Sequence, residues 1–68
     1  MTILQAGKEL SVELGTLYDA REAVKITDMV MEKVTGFTNT ERLIKKQLLL
    51  TITQQGQLQI LKEHFNIS

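Results

Sequence analysis

The sequence predicts an all-α fold, a small single-domain bundle of four to five helices. Two observations carry that reading. Apolar residues recur at steps of three and four along most of the chain, the spacing that aligns one face of a helix. Thr2, Asp19, Thr38 and Thr51 each stand three residues before a Gln or Glu, namely Gln5, Glu22, Glu41 and Gln54. A short oxygen-bearing side chain followed by Gln or Glu at that distance is the pattern of a capped helix start. The chain also has no proline to interrupt a helix.

The first helix is predicted over 3–14. Ile3, Ala6, Gly7, Leu10, Leu14 and Leu17 share one face, and Gly15 ends the element. Leu4 and Val12 lie off that stripe, so this helix either touches a second neighbour or shows them to solvent. The connection over 16–18 is short, which favours an antiparallel neighbour.

The second helix, over 19–35, has the longest uninterrupted pattern, and the rest of the chain is read against it. Asp19 is placed to accept from the first-turn amides, with Glu22 in capping-box position. Ala23, Ile26, Val30, Val34 and Phe37 form a narrow apolar stripe at about 100° per residue. Met29 and Met31 fall on its shoulders, and Arg21, Lys25, Asp28 and Glu32 take the far face. Gly36 supplies the left-handed residue that commonly stops a helix.

A short helix is predicted from Asn39 to Gln47, with Leu43 and Ile44 inward and Glu41 one turn from Lys45. Leu48–Leu50 then reads as a buried connection; a short strand there would lack a partner. The last helix is expected over 52–65, with Leu58, Leu61 and Phe65 on its inner side. The final three residues are expected to fray. Together these place one core among Leu10, Leu14, Ile26, Val30, Val34, Leu43, Leu58, Leu61 and Phe65.

With 68 residues the chain forms one domain. A domain of this size buries only about 60% of its unfolded surface, so its stability is marginal. Eight basic and eight acidic residues balance to zero net charge, which disfavours a nucleic-acid binder working through bulk charge. There is no cysteine for a disulfide or a thiolate metal site. No apolar run approaches the roughly 18 residues of a membrane span, and no signal-peptide pattern opens the chain.

Chemistry is sparse. His64 is the only histidine and has no second His or Cys to share a metal with; it reads as an exposed or shoulder residue. Glu9 with Glu13 and Asp28 with Glu32 are one-turn carboxylate pairs, but the Glu-x-x-His partners of di-iron bundles are missing, so both read as solvated faces. The glycines at 7, 15, 36 and 56 are dispersed and form no phosphate-cradling loop. No catalytic, cofactor-binding or metal-ligating residue is assigned. Arg42, Lys45 and Lys46 form a small basic cluster and are the candidate partner contacts, set against the simpler reading of a solvated helix face. The outline of short helix, turn and longer helix is loosely that of a helix-turn-helix, but the last helix is rich in Gln and has only Lys62 as a firm positive charge.

Tyr18-Asp19-Ala20-Arg21-Glu22-Ala23, then Met29-Val30-Met31-Glu32-Lys33-Val34-Thr35-Gly36, resembles the N-terminal domain of the HemK/PrmC family, the release factor glutamine methyltransferases. Family members carry a Glu-Ala pair on the second helix and close it on an apolar-Glu-x-Val-Thr-Gly run. A later helix opens Ser/Thr-x-x-Gln-x-x-x-Leu, which Thr51–Leu58 resembles. The likeness spans roughly residues 3–63 and rests on packing patterns rather than chemical residues. The chain departs from the pattern at Asn39, where many relatives carry arginine, in the apolar run Leu48–Leu50, and at His64-Phe65-Asn66.

The resemblance implies a non-catalytic domain that helps hold a peptide chain release factor in the cytoplasm. A C-terminal Rossmann-like domain, whose Gly-rich loop and Asn-Pro-Pro-Tyr motif have no counterpart here, would methylate the Gly-Gly-Gln glutamine with S-adenosylmethionine. It implies no methyltransferase activity in this chain, and neither a membrane nor a direct nucleic-acid partner. The alternative is a generic helical interaction module, or a homodimer burying Leu48–Ile52. A release-factor domain separated from its catalytic partner should show scattered apolar residues near its C-terminal end, and a dimer one self-complementary patch. A DNA binder should bring Arg42, Lys45 and Lys46 together with Lys62.

Overall fold

The computed structural model describes residues 1–67. It contains four helices, α1 (Ile3–Leu14), α2 (Ala20–Thr35), α3 (Asn39–Ile44) and α4 (Ile52–His64), and the all-α class is as predicted. Each helix starts on its expected cap. Thr2, Thr38 and Thr51 close full capping boxes with Gln5, Glu41 and Gln54. Asp19 caps α2 from one side only, its Oδ1 accepting from the Glu22 amide at 2.8 Å. Gly36 stops α2 with φ +74°, a backbone conformation that a side chain at this position would strain.

α2 lies against both α1 and α4, so it buries more than one row. Besides Val30 and Val34, the line Ala23, Thr27, Met31 and Thr35 is buried. Met31 is therefore core rather than shoulder, while Met29 is exposed. The two threonines tolerate burial because their hydroxyls donate back to the helix, to the Ala23 and Met31 carbonyls, each at 2.7 Å. From α1 the buried row is Ile3, Ala6, Leu10 and Leu14, and Leu58 joins from α4. Ile26, Leu61 and Phe65 are only partly buried around this core. The Cα radius of gyration is 11.0 Å, close to the roughly 11 Å of a well-packed chain of this length.

Three expectations are corrected. α3 ends at Ile44 rather than Gln47, and Leu43 and Ile44 point outward, 68% and 77% exposed. The inward position of this short helix belongs to Arg42, which is buried. Successive residues rotate by about 100°, so the neighbours of Arg42 are carried away from the core.

The Leu48–Leu50 connection is not buried throughout. Leu50 is in the core, but Leu48 and Leu49 are exposed. A partner for this stretch also exists: Thr2 and Leu49 form an isolated antiparallel bridge, with Leu50 N–H donating to the Met1 carbonyl at 2.9 Å. The same stretch satisfies first-turn donors of α1. Ile3 N–H donates to the Leu48 carbonyl at 2.9 Å and Leu4 N–H to the Lys46 carbonyl at 3.1 Å.

Asn66 and Ile67, expected to fray, instead lock the end of α4. Asn66 takes the left-handed conformation with φ 62°. Its N–H donates to the Glu63 carbonyl at 3.0 Å, and Ile67 N–H reaches back to the Lys62 carbonyl at 2.9 Å. That pair of bonds is the Schellman ending, with Asn in the place glycine commonly takes. It turns Ile67 into the core. Ser68, also expected to fray, lies outside the described residues.

Leu14 is fully buried and Leu43 is not, so their truncations should separate. Leu14→Ala is expected to cost about 2–5 kcal/mol, a large part of the stability of so small a domain. Leu43→Ala should stay within about 0.5 kcal/mol of the parent. Urea midpoints followed by circular dichroism check both; a large loss at Leu43 contradicts its outward placement.

Candidate functional site

A groove of about 450 Å³ is bounded by α1, α2 and α3. Its floor comes from Ile3, Thr27 and Met31, all buried. Thr27 offers little polarity there, because its hydroxyl is already engaged with Ala23. One wall is the second face of α1: Leu4, Gly7, Lys8, Ser11 and Val12. These residues sit three and four apart, beside the core-facing row. The facing wall is α3 and the residues after it, with Asn39, Leu43 and Lys46. At Gly7 a β-carbon would meet nothing within 4 Å, so the glycine leaves open space in the wall.

Arg42 closes the end of the groove between α2 and α3. Its Nη1 donates to the Phe37 carbonyl at 2.8 Å, and its Nη2 to Asp28 Oδ1 at 3.1 Å. The guanidinium is buried while Asp28 stays about half exposed. A planar fork with donors in two fixed directions suits this job, and an ammonium does not. Lys45 lies over the Phe37 ring, its Nζ 4.3 Å from the centroid. Lys46 and Lys8 make no ion pair among the described residues and border the groove.

The three candidate contacts therefore divide. Arg42 is committed to holding α3 on α2, Lys45 covers Phe37, and Lys46 is exposed on the groove. Lys62 does not join them. It donates to Glu13 Oε1 at 3.2 Å, near the C-terminal end of α1, whereas the Lys46 carbonyl bonds Leu4 at the other end. Nine residues of helix, about 14 Å, separate these points. The convergence a DNA-binding face needs is not formed. Sequence reasoning missed Lys8, Leu4 and Val12 as site residues. The available signal was the off-stripe row Leu4, Lys8 and Val12 at steps of four.

His64 is exposed and meets the Phe65 ring edge-on, with centroids 5.3 Å apart. Glu13 and Asp28, each from a one-turn carboxylate pair, are drawn into separate ion pairs. Among the described residues no three His, Cys, Asp or Glu come together to hold a metal, and no helix is long and apolar enough to cross a membrane. The chain matches no protein-family model, no curated protein and no solved structure.

Removing Arg42 should loosen the groove more than removing its acidic partner. Arg42→Ala is expected to cost about 1–3 kcal/mol, since it leaves the Phe37 carbonyl and the α2–α3 contact unsupported. Asp28→Ala should cost less, about 1–2 kcal/mol: the carboxylate itself is half solvated, but its loss leaves one donor of the buried guanidinium unpaired. Arg42→Lys should recover little. Chemical denaturation of the three variants checks the order.

Glu41 carries a pH-sensitive cap. The Thr38 backbone N–H donates to its carboxylate at 2.9 Å. That bond, then the Thr38 hydroxyl and, last, the charge of Lys45 hold its pKa below the ordinary glutamate value, against desolvation, which raises it. A depressed folded-state pKa stabilises above the unfolded value, and the benefit fades as pH falls through the folded one. The Thr38 amide resonance should therefore titrate with a midpoint below that of an unstructured glutamate. A midpoint at or above the unstructured value contradicts the cap.

Proposed function

We propose that this chain is a helical protein-recognition domain and that its partner is a peptide chain release factor. In this reading it is the non-catalytic N-terminal domain of a cytoplasmic protein-(glutamine-N5) methyltransferase. It helps to hold the release factor while a separate S-adenosylmethionine-dependent domain methylates the glutamine of the Gly-Gly-Gln motif. The run Tyr18–Gly36, with its Glu22-Ala23 pair and its Met31-Glu32-Lys33-Val34-Thr35-Gly36 ending, carries the assignment. The groove beside that helix supports it, because it is apolar at its floor, open, and free of catalytic groups.

The chain's own residues do not fit S-adenosylmethionine. Gly7 and Gly56 lie inside helices, and Gly15 and Gly36 follow helix ends, so no glycine-rich loop is available to approach a cofactor. The methyl-transfer chemistry is assigned wholly to the other domain.

A second reading draws on a different surface. Ile44, Leu49 and Ile52 are 77%, 70% and 89% exposed. Exposed apolar side chains that form a contiguous patch mark a contact with another protein surface. Such a patch suits either self-association or the face turned toward the catalytic domain.

Heteronuclear NMR titration of the labelled chain with a purified bacterial release factor, at two salt concentrations, separates the readings. Release-factor recognition predicts shifts localised to one face and weakened by salt. Absence of shifts at high release-factor concentration, together with concentration-dependent shifts of Leu49 and Ile52 in the chain alone, favours a self-associating module instead.

A further inference from the structure

The geometry points to the α1–α3 groove as the docking site of a single amphipathic helix that carries acidic residues beside its apolar face. This names the surface and the partner chemistry of the protein-recognition reading above, on which it rests.

Three observations select that occupant. The first is shape. Leu4, Gly7 and Val12 line one wall, with Leu43 across from them. Leu4 to Val12 spans about 12 Å, or two helical turns. A partner helix matches this with apolar residues at i, i+3 or i+4, and i+7. Leu43 and Val12 are 68% and 72% exposed, so most of their surface is left open by the described residues.

The second is backbone supply. The α1 wall and most of the facing wall are helical, so the α1 peptide groups are bonded within the helix or, in its first turn, to the 46–48 segment. An extended peptide would find no row of unpaired backbone groups to join. A helix brings its own backbone bonds and needs only side-chain contacts.

The third is charge. The groove is lined by three cations, Lys8, Arg42 and Lys46, and one anion, Asp28. Asp28 is already engaged by Arg42. That leaves Lys8 and Lys46 unpaired among the described residues on the two sides of an apolar floor, in a chain of zero net charge. Acidic residues flanking the apolar row of the partner would meet these lysines, which favours acidic partners and speeds encounter. Lys46 is thereby given a role that Arg42, consumed inside the fold, cannot fill.

The test uses two synthetic helical peptides of about 16 residues, long enough to hold some helix alone. Both carry leucines at i, i+3 and i+7. One flanks them with glutamates and the other with lysines. The labelled chain is titrated with each. The glutamate peptide is expected to shift the Leu4, Gly7, Val12 and Leu43 amides, and the lysine peptide to bind at least about tenfold more weakly. Exchanging both lysines, Lys8→Glu with Lys46→Glu, should reverse the preference. Both are surface positions, so the fold is retained. Gly7→Leu should block the groove and abolish the shifts with helix content intact by circular dichroism; the charge-exchanged variant carries the test if that substitution unfolds the chain.

Three outcomes overturn the assignment. One is no groove shift at about 1 mM glutamate peptide, well beyond the range expected for a weak specific contact. Another is equal binding of the two peptides. The last is groove shifts that appear on concentrating the chain alone, which makes a second copy the occupant. A release factor titrated in parallel keeps the two readings apart. If it binds away from the groove and the glutamate peptide does not bind, the docking assignment falls while release-factor recognition stands. If only the peptide binds in the groove, the docking assignment stands and the release-factor partner falls.

Discussion

Among the described residues eleven apolar side chains are buried in the core, three of them no larger than valine or alanine on α2 and one an alanine on α1. With so little apolar area to bury, chain ends and helix ends left unpaired are costs the domain cannot absorb. The fold meets this constraint at its termini. All four helices carry a side-chain cap at the start. The first turn of α1 is further satisfied from a distance, by the carbonyls of Lys46 and Leu48. The last turn of α4 is closed by Asn66 and Ile67, which returns one more apolar residue to the core. Polar bonds here decide where the few apolar residues go.

α3 shows the same constraint from the other side. It has six residues, too few to offer a full apolar stripe. It is held by a guanidinium fork to Phe37 and Asp28 instead of by hydrophobic packing. Because a polar side chain occupies its inward position, Leu43 and Ile44 are left to face outward. The groove follows from that substitution of one kind of contact for another. Had Leu43 packed into the core, α3 would have closed against α1 and the space above Thr27 and Met31 would be filled.

What could be read in the sequence follows the range of the interactions involved. Asp19 with Glu22, Thr38 with Glu41 and the stop at Gly36 are local, and each was legible from spacing alone. So was the row Ile3, Ala6, Leu10 and Leu14. The reversal at Leu43 was not, because it turns on Arg42 meeting Asp28 fourteen positions away. The Thr2–Leu49 bridge and the burial of Ile67 were missed for related reasons. The first joins residues far apart in sequence, and the second depends on a left-handed Asn that composition does not single out from an ordinary one. The candidate site was half visible. The cluster Arg42, Lys45 and Lys46 was found, but its three members turn out to have different work, and Lys8 enters only when α1 and α3 are placed side by side.

The division between Arg42 and Lys46 bears on how the surface could vary without loss of the fold. Arg42 makes its bonds inside the domain, so changing it alters stability and groove shape together. Lys8 and Lys46 make none among the described residues, so their charge can change at little cost to folding. Val12 and Leu43 are in a similar position, since most of their area is exposed. The groove thus has a buried floor belonging to the fold and a rim nearly independent of it. In the docking proposed for this groove, partner preference would be set by the rim and shape by the floor, and the energetic separation of the two follows from Arg42 being bonded and Lys46 being exposed.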